Sequence, residues 1–127
     1  MNIEKRESAF SKLMRLHQIV SMEKGDFLNI TIGSNEIGIA VSQKYQAELD
    51  LILAGEIVLH QKTDLVAVSV LFTGDFLDTP GVIYEAVRKL AWEHINVLEI
   101  VTTMNELTFV INREDSSQAY EALQRFL

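Results

Sequence analysis

The sequence contains no cysteine and has a deficit of positive charge. Without cysteine, the 127-residue chain has no disulfide, no thiolate nucleophile and no thiolate metal ligand, which fits a reducing compartment. Eleven basic residues face eighteen acidic ones, and the net charge of −7 repels phosphate backbones and anionic membrane surfaces. No apolar segment of signal-peptide or membrane-spanning length follows the charged amino terminus. We therefore expect a cytoplasmic protein with neither nucleic acid nor membrane as partner.

The motifs of common enzyme classes are also missing. The chain has no glycine-rich phosphate loop and no Gly-x-Ser-x-Gly elbow, so phosphoryl and acyl transfer lack their usual parts. His17, His60 and His94 are isolated in the sequence, and we predict no metal and no cofactor. Carboxylates that are distant in the sequence can still meet in space, so a small enzyme remains the third of three functional hypotheses.

The second half of the chain repeats the pattern of the first. A shift of 70 residues places Asn35-Glu36-Ile37 on Asn105-Glu106-Leu107 without a gap. The same shift places Leu13 on Ile83 and Val20 on Leu90, and other apolar positions also coincide. We interpret this as an internal duplication, with chance similarity between two amphipathic segments as the alternative.

The second repeat, residues 64–127, predicts the order β-α-β-β-α. Residues 65–72 have the composition of a strand buried on both faces. Pro80 then opens a helix whose apolar residues recur at helical spacing. Residues 96–103 and 107–112 form a predicted hairpin, and residues 115–118 read as the capping box of a last helix.

The first repeat, residues 1–63, predicts the same order with different ends. It contains a helix over 8–22, a hairpin over 27–33 and 36–42, a helix over 44–54 and a strand over 56–63. Met1 already aligns with Leu71, so this unit lacks its opening strand, and the second unit lacks the closing one. The predicted class is α+β, with ferredoxin-like units in tandem and helices on one face of antiparallel sheets. Open strand edges predict pairing within or between chains, and therefore a homo-oligomer, dimeric or higher.

The segment from residue 65 to the end resembles an ACT domain, and most closely the tandem ACT region that regulates aspartokinases. The resemblance lies in Thr79-Pro80-Gly81-Val82 before the helix and in Ile95-Asn96-Val97 after it. The family usually has glycine where His94 stands. The first half shares the resemblance only through the repeat, and its aligned positions, Ser8 to Ser11, contain no Pro-Gly.

The resemblance implies a regulatory module that performs no catalysis and binds an amino acid between two paired domains. An amino-acid biosynthetic enzyme is the regulated partner that it implies. Carried over by position, the ligand-binding residues are Asp78, Thr79, Pro80, Gly81 and Val82 on the loop and helix start, with Asn96 and Val97 opposite.

Elementary chemistry gives these residues a role. Pro80 fits the first turn of a helix, and free backbone N–H groups at Gly81 and Val82 suit a carboxylate. Asp78 suits an ammonium group, and the Asn96 amide can bond either end of a zwitterion. An ordinary helix start, capped by Asp78 and binding nothing, is the competing interpretation. A purely structural dimerisation module is therefore the alternative function.

Overall fold

A computed structural model describes residues 1–20, 25–72, 80–103 and 105–126. It contains seven strands and four helices in these described ranges. They are β1 (Asn2–Glu4), α1 (Glu7–Ile19), β2 (Leu28–Ile32), β3 (Glu36–Val41), α2 (Gln46–Ile52), β4 (Val58–His60), β5 (Leu65–Leu71), α3 (Val82–Trp92), β6 (Val97–Thr102), β7 (Glu106–Asn112) and α4 (Ser116–Phe126). The chain divides into two compact units, unit 1 (Met1–Thr63) and unit 2 (Asp64–Leu127). The predicted α+β class with ferredoxin-like β-α-β-β-α units is confirmed.

Unit 1 is built on an antiparallel sheet in the order β2-β3-β1-β4. The prediction that it lacks an opening strand is wrong, because β1 lies between β3 and β4. Ile3 on β1 is fully buried and pairs with Ile37 on β3. Three residues are too few to show an alternating pattern in the sequence.

Other elements of unit 1 match the predictions in type and differ in length. The predicted hairpin is confirmed as β2 and β3, which pair without a bulge from Leu28 opposite Val41 to Ile32 opposite Ile37. Helix α1 ends at Ile19, and the predicted end at residue 22 lies outside the described residues. The strand predicted over 56–63 is only three residues long, and all three are exposed.

Unit 2 is built on a three-stranded antiparallel sheet in the order β5-β7-β6. Its central strand β7 is buried from Leu107 to Ile111. The prediction that β5 is buried on both faces is wrong, because Ala67, Ser69 and Leu71 are exposed. β5 lies at the sheet edge, and the core residues of α3 and α4 pack on one face only.

The two units repeat each other, with different loop lengths. The 70-residue shift holds for the hairpins, since Ile30 pairs with Ile39 and Ile100 with Phe109. It fails for the first helix of each unit. Ala9 and Leu13 are buried in α1 as Ala86 and Leu90 are in α3, whereas Ile83 is 39% exposed. The connection before α3 is longer than the one before α1, and an alignment without gaps cannot represent that difference.

Candidate functional site

The predicted helix mouth in unit 2 is the amino-terminal end of α3. The helix begins at Val82, two residues later than predicted, and Gly81 is the N-cap. Its φ of +86° lies in the left-handed region that favours glycine. A Cβ built on Gly81 meets no atom of the described residues within 4 Å, so none of these residues covers the mouth on this side.

The backbone makes this mouth a donor surface. The Gly81 carbonyl accepts the first helical hydrogen bond from the Glu85 N–H at 2.9 Å. The N–H groups of the first turn therefore have no carbonyl partner within the helix, and Gly81 has no side chain to cap them. The helix dipole adds partial positive charge here. Glu85, in the same turn, lies 3.4 Å from the Arg88 guanidinium, which partly offsets its negative charge.

The other predicted site segment follows the carboxyl-terminal end of α3. The Ile95 N–H bonds the Leu90 carbonyl at 3.0 Å, and the His94 N–H bonds the Ala91 carbonyl at 3.0 Å. These two bonds define a Schellman motif, in which the residue at the His94 position has positive φ. His94 adopts φ +59° and so takes the conformation for which the ACT family usually uses glycine. The exposed Asn96 and half-buried Val97 come directly after this turn.

The two predicted site segments lie at opposite ends of α3. Eleven residues separate them along the helix, a length of about 16 Å. Val97 pairs with Ile111 and lies near the beginning of β5, whereas Gly81 follows the loop that leaves the end of β5. Within unit 2, Pro80, Gly81 and Val82 are therefore together, while Asn96 and Val97 are not beside them. Asp78 and Thr79 lie outside the described residues.

The corresponding helix start in unit 1 is arranged differently. The Glu56 carboxylate, whose side chain is 1% exposed, lies beside the first turn of α1. It accepts hydrogen bonds from the Lys12 ammonium at 2.6 Å and from the Ser8 hydroxyl at 3.0 Å. Lys12 also donates to the Ala54 carbonyl at 3.0 Å.

This cluster holds one of the protein's own carboxylates beside the first turn of α1, through the side chains of Ser8 and Lys12. The hydrogen bond from Lys12, followed by the bond from Ser8, holds the pKa of Glu56 below its ordinary value. Glu56 is therefore ionised at neutral pH. Sequence reasoning missed it because Lys12 and Glu56 are 44 positions apart and no local motif joins them.

Trp92, the last residue of α3, is 81% exposed and so does not pack in the core. Among the described residues, no group of three or more histidine or acidic side chains is arranged to hold a metal ion. No helix in the described ranges is long and apolar enough to cross a membrane.

Comparison with solved structures identifies the fold. The chain superposes on a structure of aspartokinase alpha and beta subunits with a TM-score of 0.77 and 18% identity, covering 98% of this chain and 88% of that one. The ligand-free regulatory subunit of aspartate kinase from Thermus thermophilus gives a TM-score of 0.76 and 18% identity, covering 98% and 90%. This is the fold of the aspartokinase regulatory subunits.

The match to a complete kinase covers much less of that protein. Against the aspartate kinase of Clostridium acetobutylicum, the TM-score is 0.75 at 15% identity, and 95% of this chain covers only 30% of the kinase. No protein-family model matches the sequence, and no curated protein matches it. The resemblance to the aspartokinase regulatory region is thus confirmed at the level of the fold.

Proposed function

We propose that this protein is a regulatory module that performs no catalysis and binds an amino acid, or a similar small zwitterion, where unit 2 pairs with another ACT unit. The observation that carries this proposal is the open mouth of α3. Gly81 itself supplies no side chain to cap the backbone donors, whereas in unit 1 the Glu56 carboxylate lies beside the first turn of α1.

A ligand carboxylate bound at the mouth of α3 would accept hydrogen bonds from the backbone N–H groups at and after Gly81. Val82, which is half-buried, would give this end of the pocket an apolar wall. Asp78 supplies the charge for the ammonium group of the ligand, and the Asn96 amide bonds either end. Backbone contacts of this kind recognise the shared frame of amino acids.

Because Gly81 and Asn96 lie at opposite ends of α3, a pocket that contains both residues requires two units. β6 runs parallel to β5, so the mouth of α3 lies toward the carboxyl-terminal end of β6. Antiparallel pairing of β6 with β6 of another unit would bring this end beside the partner's β6 start. Gly81 of one unit and Asn96 of the other would then line the same pocket.

The outer edge of β6, with which no strand of the described residues pairs, supports this arrangement. Ile100 pairs with Phe109, which is fully buried, so Ile100 belongs to the face of the sheet that holds the core. It is nevertheless 43% exposed. A partner strand beside β6 would cover this apolar surface. A ligand that contacts both units would favour the paired state, and this differential binding would couple ligand to assembly.

The structural comparisons suggest which class of partner the protein regulates. The solved structures that share this fold along most of their length contain aspartokinase regulatory subunits, so an amino-acid biosynthetic enzyme is the partner class we propose. A structural dimerisation module that binds nothing small is the second candidate. The exposed Ile100 at the edge of the sheet fits both candidates, and only the open helix mouth favours the first.

A thermal-shift panel of the twenty amino acids separates the two. We expect a rise in Tm that depends on concentration for at least one of them, because binding to the folded state alone stabilises it. Gly81→Val should abolish that rise. Gly25→Val is the matched control, since Gly25 has φ +95° and its Cβ would also meet no atom of the described residues within 4 Å. The control should lower Tm by a similar amount and keep the ligand response. A flat panel from a folded, dimeric protein would favour the structural module.

A further inference from the structure

The outer side of α3 carries two exposed aromatic rings with an arginine between them. Tyr84, Arg88 and Trp92 are spaced by four residues and therefore lie on one side of the helix, over a length of about 12 Å. The opposite side carries Ala86 and Leu90, which are fully buried in the core cluster. Tyr84 is 66% exposed, Trp92 is 81% exposed, and the Arg88 side chain is 61% exposed. We call these three residues the α3 ridge.

Unit 1 shows that the fold does not require such a ridge. Leu13 of α1 and Leu90 of α3 occupy the same buried position in their units. With the two helices matched in this way, the ridge positions fall on Glu7, Ser11 and Arg15 of α1. These three residues are exposed and polar, as is usual for the outer side of a helix. Tyrosine, tryptophan and arginine are the residue types most enriched at the centres of protein interfaces. The α3 ridge is therefore explained by contact with a partner and not by folding.

The charge around the ridge indicates what kind of partner fits. Residues 64–127 contain ten acidic and four basic residues. Among the described elements of this unit, only α3 has more basic than acidic residues, with Arg88 and Lys89 against Glu85. The exposed pair between Arg88 and Glu85, at 3.4 Å, holds the guanidinium weakly. A carboxylate of a partner can therefore bind Arg88, whereas the acidic residues elsewhere in unit 2 would repel an acidic partner.

We propose that the α3 ridge is a docking surface for an amphipathic helix of another protein, in which one acidic residue lies between two apolar residues at spacings of four. The acidic side chain would pair with Arg88, and the apolar side chains would contact the rings of Tyr84 and Trp92. Pairing through β6 extends the sheet in its own plane and leaves the ridge, on the far side of α3 from the core, accessible. That the partner is the regulated enzyme rests on the proposed function, whereas the docking surface itself does not.

Trp92 is the only tryptophan of the chain, so its fluorescence tests the docking directly. The probe is a synthetic alanine-rich helical peptide with leucine, glutamate and leucine at successive spacings of four, and without tyrosine or tryptophan. A second peptide carries lysine in place of the glutamate. We expect the glutamate peptide to shift the Trp92 emission to shorter wavelength, because the ring loses contact with water. The lysine peptide should not shift it. No shift with the glutamate peptide, or equal shifts with both peptides, would overturn the proposal.

Reversal of the charge at Arg88 tests the central contact. Arg88→Glu should weaken binding of the glutamate peptide by about tenfold or more, and the lysine peptide should now shift the Trp92 emission. Arg15→Glu makes the same change of charge at an exposed position of α1 and is the matched control. It should bind the glutamate peptide like the wild type. If both variants weaken that peptide equally, overall charge and not the ridge attracts it, and the proposal fails.

A variant without the tryptophan measures the aromatic contact by a different signal. Trp92→Ala should lose binding of a fluorescently labelled glutamate peptide, followed by anisotropy, and keep the circular dichroism spectrum of the wild type. Unchanged affinity in this variant would also overturn the proposal. The amino-acid panel is measured without peptide and the peptide titrations without amino acids. A flat panel with intact peptide binding therefore counts against the proposed ligand alone, and the reverse result counts against the ridge alone.

Discussion

Single residues in this protein take conformations and charges that their surroundings impose. His94 lies at φ +59° because the Schellman motif ending α3 requires a left-handed residue, and the buried Leu90 and Ile95 fix that turn. A side chain with a Cβ is strained there by about 1 kcal/mol or more. The resemblance to ACT domains pointed to glycine at this position, and the conformation is retained without it.

His94→Gly should therefore stabilise the fold. Relief of the strain exceeds the greater chain entropy that glycine adds to the unfolded state, and we expect a gain of roughly 0.5–1 kcal/mol. Urea denaturation measures this gain in the free energy of unfolding, provided that the dependence of that free energy on urea concentration has the same slope in both proteins. Lys62→Gly, in a connection where φ is not positive, is the control and should show no gain. A loss of stability in His94→Gly would mean that the imidazole has a contact of its own.

The Glu56 cluster makes the stability of the folded protein depend on pH. The pKa of Glu56 is lowered in the folded state, so the contribution of its carboxylate to stability is complete above the ordinary glutamate pKa. The contribution is lost as pH falls through the lowered value, because the unfolded state takes up the proton first. Asp26 acts in the same direction, since hydrogen bonds from Tyr45 and then Lys44 lower its pKa.

We expect Glu56→Gln to lower Tm at pH 7, where the ion pair with Lys12 is lost. The difference from the wild type should narrow in acid, below the ordinary glutamate pKa. Thermal unfolding followed by circular dichroism across this pH range makes the measurement. Glu48→Gln, at an exposed position of α2, should leave Tm at pH 7 unchanged. A difference in Tm between the two proteins that stays constant with pH would show that packing, and not the charge of Glu56, holds the cluster.

At the level of elements, the length of each strand or helix determined whether the sequence predicted it. The hairpins and the later helices show clear periodicity over six or more residues, and each was predicted in the right place and order. The three-residue strand β1 shows no period, although its Ile3 is fully buried between two partner strands. The end of α1 and the start of α3 were displaced by two or three residues, because local propensity defines helix ends weakly.

The buried Ile3 makes a direct test of β1. Ile3→Ala should destabilise unit 1 by about 2–4 kcal/mol, since it removes a fully buried side chain from the core. Ile32→Ala on β2 is the matched control, because Ile32 is 52% exposed, and its cost should be far smaller. Denaturant unfolding compares the two variants. Equal costs would mean that β1 is not part of a stable sheet.

At the level of the whole molecule, the two similar units differ at their helix mouths. Unit 2 has Pro80-Gly81 and an open mouth, whereas unit 1 lacks that pair and has Glu56 beside its first turn. If the proposed function holds, titration calorimetry with the amino acid found in the panel should saturate at one ligand per chain. Two per chain would show that the Glu56 cluster does not close unit 1.

The sequence by itself determined the class of fold, the two repeats and the Pro-Gly helix start, because all three depend on local periodicity and short motifs. It also indicated the aspartokinase regulatory fold that the structural comparisons support. Only the tertiary structure decided that Glu56 lies beside α1, that the predicted site residues separate to opposite ends of α3, and that β5 is an edge strand of its sheet. These features depend on strand order and on contacts between residues far apart in the chain, which no local pattern records.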